Sequence, residues 1–121
     1  MEKLYLVRLV FQIQFGQSGK YTFEEQLRLY RNNSPEEAYE RAIAQGKKEE
    51  VTFTQIDHGF VSWVFLGLAD LLIPEQSDDN SLLESKSIEP GMEPDYEPYI
   101  RQKIRLVRNQ FQGHRKAIEQ E

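Results

Sequence analysis

From Tyr5 to Phe15 every odd position is apolar, while the even set includes Arg8, Gln12 and Gln14. A period of two held over this stretch predicts a strand with one buried face. Gly16-Gln17-Ser18-Gly19-Lys20 then supplies residues that tolerate a positive φ, and alternation resumes from Tyr21 to Arg31 with Phe23, Leu27 and Leu29 on the odd face. The pair reads as a hairpin. Setting Phe15 opposite Tyr21 puts both odd faces on one side and Phe11 opposite Glu25.

Asn33-Ser34-Pro35-Glu36-Glu37 carries the signals of a helix start: Ser34 to cap, Pro35 at the first helical position and Glu37 to close a capping box. The apolar stripe is Ala38, Tyr39, Ala42 and Ile43, and Gly46 is the expected stop. Val51 to Ile56 predicts a Thr-rich strand, and Asp57-His58-Gly59 a turn. Phe60 to Ile73 is nearly continuous apolar sequence, expected as the central strand, with Gly67 the natural place for a bulge or bend and Pro74 its end. Ser81 to Ile88 fits a fifth, edge strand.

Three prolines between Pro90 and Pro98 predict an extended linker, so the compact domain is expected to span 1–89, the linker 90–98 and a last helix 99–121. In that helix Ile100, Ile104, Val107, Phe111 and Ile118 recur at helical spacing, with Arg101, Arg105, Arg108 and Arg115 on the remaining faces. The fold expected from these elements is α+β: a mostly antiparallel sheet of four or five strands in the order β-β-α-β-β, one packed helix and an outlying amphipathic helix.

Composition narrows the chemistry. The chain has 121 residues and no cysteine, which excludes disulfides, thiolate metal sites and a cysteine nucleophile. No leader-like start or long apolar span is present, so a cytoplasmic location is the expectation and membrane partners are not. The net charge of −5 hides an asymmetry: Asp70 to Pro98 holds nine acidic residues against one Lys (−8), and Tyr99 to Glu121 six basic against two acidic (+4). The basic helix invites a nucleic-acid reading, but the net charge, the acidic stretch before it and its apolar stripe oppose this.

The motifs Phe23-Glu24-Glu25-Gln26-Leu27-Arg28-Leu29, Ser34-Pro35-Glu36-Glu37-Ala38 with Ala42 and Gly46, Lys48-Glu49-Glu50, and the run Gly59 to Leu71 around Trp63 together resemble a small, largely bacterial domain of unknown function, family 4288. The resemblance covers roughly residues 3–88. It implies no activity and no catalytic residue, and the proline-rich stretch and last helix lie outside it.

Glu25 lies between Phe23 and Leu27 on the apolar face, where a carboxylate is either a general acid or ligand-binding group or the paired member of an ion pair. The register above puts Arg8 on the opposite face and so away from it. Asp57 and His58 with Asp70 form the other acid–base candidate, set against the plain reading of a turn. His114 has no acidic neighbour before Glu119 and is expected in solvent. No metal or cofactor motif is present.

Trp63 and Phe65 alternate with Val64 and Leu66, so this strand is apolar on both faces, and one short helix cannot cover both sides of the sheet. Either the last helix or another protein must cover the second face. The leading expectation is a non-enzymatic protein-interaction module, of immunity or inhibitor type by analogy, using Trp63, Phe65, Ile100, Ile104, Val107, Phe111 and Ile118. Its partner is another protein or a second copy, as a homodimer through the helix, with packing of the helix on its own domain as the alternative. The competing class is a small-molecule-binding protein or an enzyme using Glu25.

Overall fold

Strands β1 (Lys3–Phe15) and β2 (Lys20–Asn32) form the hairpin, with Phe15 paired to Lys20 rather than Tyr21. The loop is therefore one residue shorter than expected. It closes through Ser18 and Gly19 amides that both donate to the Phe15 carbonyl, with Gly19 at φ 69°. This one-residue difference moves every side chain of β2 to the other face relative to β1. Odd residues of β1 share a face with even residues of β2, and Arg8 shares one with Glu25. The computed structural model describes residues 2–16, 18–55, 59–73, 82–91 and 93–119, with the side chains of 55, 82–85 and 113–119 outside the description.

Helix α1 (Pro35–Lys48) begins as its capping signals predict. Ser34 Oγ accepts from the Glu37 amide at 3.1 Å, and Glu37 accepts from the Asn33 amide at 2.9 Å. Gly46 does not end the helix, which continues to Lys48. Its role is close packing: a Cβ there would stand 2.4 Å from the Phe65 ring.

β3 (Val51–Gln55), β4 (Gly59–Leu72) and β5 (Leu82–Ile88) complete an antiparallel sheet of order β3-β4-β1-β2-β5. The fold is α+β, and β1 rather than the long apolar β4 occupies the centre. β4 shifts register twice against β1, on either side of Gly67 and Leu68. The first shift turns Gly67 away from α1, the second restores the phase, and Asp70 lands opposite Arg8.

Helix α2 (Tyr96–Glu119) starts inside the expected linker: Pro98 falls in its first turn, where the N–H that proline lacks would have no intrahelical acceptor. It is not outlying. Tyr96, Ile100 and Ile104 are buried against Val10, Phe23, Ala69 and Ile88, on the sheet face opposite α1. Farther along, Val107 and Phe111 join the cluster of Val7, Leu9, Phe11 and Leu68, and Phe111 stacks on Tyr39 of α1 with ring centroids 4.8 Å apart. The helical stripe thus packs on its own chain; the side chains of Ile118 and His114 lie outside the description.

On the α1 side, Arg28 of β2 donates to both carboxylate oxygens of Glu49, just past the helix, and to Gln26, while Gln45 also donates to Glu49. The Arg28 hydrogen bond holds the Glu49 carboxyl below its ordinary value, against the opposing effect of burial. A depressed carboxylate adds stability above its unfolded value of 4.5 and loses it as pH falls through the folded value. Urea unfolding should therefore show an acid limb below about pH 4.5 that Glu49→Gln flattens, with a loss of about 1 kcal/mol at pH 7 for this partly solvated pair.

Gly67 has φ 143° and Ile104 Cγ2 lies 2.6 Å from where a Cβ would stand. Gly67→Ala should cost about 1–3 kcal/mol in urea unfolding and speed amide exchange in α2 more than in α1.

Candidate functional site

Glu25 is the most deeply buried charged group of the described chain, with 5 % of its surface exposed. The hairpin register places Arg8 beside it, and Arg8 Nη1 donates to Oε1 at 3.1 Å. The Tyr96 hydroxyl of α2 donates to Oε2 at 2.5 Å. The network continues outward: Arg8 Nε stands 3.4 Å from Asp70, and Lys103 Nζ reaches the same carboxylate at 3.0 Å and lies 5.6 Å from the Tyr99 ring centroid. These side chains line a cleft of about 680 Å³ under the first turns of α2, with Lys86, Glu93 and Asp95 at its mouth.

Burial, and then the hydrogen bond to Glu25, push the Tyr96 hydroxyl far above its ordinary value, so it stays a donor. Burial works against the Lys103 charge, but the Asp70 hydrogen bond and charge outweigh it and its pKa is raised. Tyr96 and Lys103 are thus both held protonated. The arrangement binds α2 to the sheet, and each Glu25 oxygen accepts a hydrogen bond from within the chain.

Of the residues expected to carry chemistry, Glu25 and Asp70 come together through Arg8, the residue that the expected register had placed on the wrong face. Asp57 and His58 lie outside the described residues. Tyr96 and Lys103 went unnoticed because one fell in the expected linker and the other among the basic residues of a helix expected to stand apart. Among the described residues no three His, Cys, Asp or Glu side chains gather as a metal site. No helix there is long and apolar enough to cross a membrane.

A second surface lies at the hairpin end of the α1 face. Trp63 and Phe65 sit against Phe11, with ring centroids 5.8 and 5.4 Å away, and are half-buried. Beyond them the cover of α1 runs out. Ile13 and Phe15 are half-buried, and on β3 Val51 is 48 % and Phe53 38 % exposed. Val51 pairs with Trp63 and Phe53 with Val61, so these side chains share one face and form a continuous apolar strip ending at the sheet edge.

No curated protein and no solved structure matches the chain. A family model, described as a domain of unknown function (DUF4288), matches residues 4–85, which takes in the whole sheet up to the middle of β5 together with α1 and leaves α2 outside. The matched segment holds Arg8, Glu25 and Asp70 on one face of the sheet and Trp63 and Phe65 on the other, and with the model matching well over half of its length the chain belongs to the DUF4288 family.

Proposed function

We propose that the chain is a non-enzymatic protein-interaction module whose contact surface is the apolar end of the α1 face, Ile13, Phe15, Val51, Phe53 and Trp63, together with the outer edge of β3. The observation that carries this reading is the run Val51-Thr52-Phe53-Thr54, exposed on both faces of an edge strand. An edge strand of high β-propensity with no charge and no proline offers unpaired backbone groups and apolar side chains at once. Ile100 and Ile104 of the α2 stripe and the second sheet face, which the sequence also offered as contact surfaces, cover each other. The competing use of Glu25 as an acid–base group is the weaker reading, because both of its oxygens are engaged and Tyr96 closes over it.

The two clusters predict opposite behaviour. Glu25→Gln removes one of the carboxylates paired with Arg8, the more deeply buried one, and should lower stability by about 2 kcal/mol while leaving partner capture unchanged below the unfolding transition. Val51→Lys should leave the urea midpoint nearly unchanged and reduce the recovery of a bound protein in affinity capture from the source cell by about tenfold or more. If no protein is retained by the wild type, its own chain included, or if Val51→Lys retains it equally well, the reading is wrong.

A further inference from the structure

The outward-facing backbone of β3 follows from its neighbour. The Phe65 amide of β4 donates to the Glu50 carboxylate at 2.9 Å, on the side of β3. The Phe60 carbonyl instead accepts from the Gly16 amide at 2.8 Å, on the side of β1. The pairing runs without a shift through this part of β4, against β3 from Gly59 to Trp63 and against β1 from Val61 to Phe65. In an antiparallel ladder the direction of the backbone groups alternates, so Val61 and Trp63 exchange their bonds with Phe53 and Val51. The N–H and C=O groups left pointing outward are those of Thr52 and Thr54.

Thr52-Phe53-Thr54 reads the same in both directions. A second copy laid antiparallel with a twofold axis at Phe53 sets Thr52 opposite Thr54 of the second copy, and Thr54 opposite its Thr52. All four outward N–H groups and carbonyls of the two threonine pairs then bond across the seam. Phe53 faces its own counterpart at the non-hydrogen-bonded position, where cross-strand side chains come closest, and aromatic pairs there are favourable. An isologous interface needs each contact to be matched by its mirror contact, and this register meets that condition at every position of the triplet.

Charge admits this partner. Each chain carries −5, yet Val51 to Gln55 contains no charged residue, so the seam brings no like charges together. The opposite edge, β5, carries the exposed Lys86, a charge of the kind that guards an edge strand against such pairing. The geometry points to a homodimer in which the β3 strands of two copies pair antiparallel about Phe53 and join two sheets into one. The inference rests on the reading of the β3 surface given above and names its partner.

The test is the mass of the full chain by light scattering. At about 100 μM the wild type should approach twice 14.3 kDa and fall toward 14.3 kDa on dilution. Phe53→Lys and Phe53→Glu each place like charges face to face and should each run at 14.3 kDa, while a one-to-one mixture of the two should regain the dimer mass. Thr54→Pro removes only an outward amide and should weaken dimerisation by about tenfold or more with an unchanged far-UV spectrum, a check independent of Phe53. A wild type that stays at 14.3 kDa, a dimer that survives these variants, or a charge-swapped mixture no heavier than its parts overturns the inference. A monomeric wild type that still loses a captured protein through Val51→Lys overturns self-pairing and leaves the interaction reading standing.

Discussion

A carboxylate as deeply buried as Glu25 must carry its counter-charge in with it, and the rest of the molecule is arranged around that requirement. Arg8 satisfies one oxygen, which it can do only because the hairpin loop brings Phe15 opposite Lys20. Lengthening that pairing by one residue would send Glu25 toward α1 and leave Arg8 among the side chains under α2. The second oxygen is satisfied by Tyr96, so the hairpin register and the docking of α2 are linked through one side chain. The buried polar pair fixes which of two similar arrangements of the hairpin is the native one.

The segment matched by the family model ends before α2, yet the sheet face that α2 covers is apolar around its polar centre. Val10, Phe23 and Ala69 need cover, and burial of Tyr96, Ile100 and Ile104 against them contributes on the order of 1.5–3 kcal/mol per large side chain. Arg8, Asp70 and Lys103 sit at the rim of this contact, where their charges fix the position of the helix while water still reaches them. Gly67, turned toward α2 by the two register shifts of β4, lets the helix approach closely enough for Ile104 to pack on the strand backbone. The acidic stretch and the basic helix meet within one chain, through Asp70 and Lys103.

Elements with local signatures were legible from sequence. The start of α1 was readable because Ser34, Pro35 and Glu37 act within one turn, and the hairpin because alternation and turn residues are short-range. What failed depended on relations between segments. Two loop lengths fit the same glycines, so the partner of Glu25 turned on a one-residue choice that no local signal makes. Gly46 looked like a stop because helix-ending glycines and glycines under an aromatic ring are the same residue; only Phe65, nineteen positions later, separates the two roles. The bend at Gly67 was expected, but that it comes as two compensating shifts, and so leaves Asp70 in phase with Arg8, shows only in the pairing with β1.

The two acidic residues after α1 shape the edge of the sheet where β3 lies. Glu49 is held by Arg28 of β2, and Glu50 takes the Phe65 amide of β4, so adjacent residues tie the end of α1 to two strands that are separated by β1. The Glu50 carboxylate occupies the edge of β4 where a longer β3 would otherwise continue its ladder. β3 therefore starts at Val51 and covers only the first part of β4, from Gly59 to Trp63. A side chain can satisfy one amide of an edge in this way, but it cannot cover a strand. Among the described residues β3 itself receives no such cap on its outer side: its exposed residues are two threonines, a valine and a phenylalanine, and Glu50, whose carboxylate takes the β4 amide, stands just before it. The device that ends pairing on β4 thus transfers the unpaired backbone to the one strand of the sheet with neither a charge nor a proline to shield it.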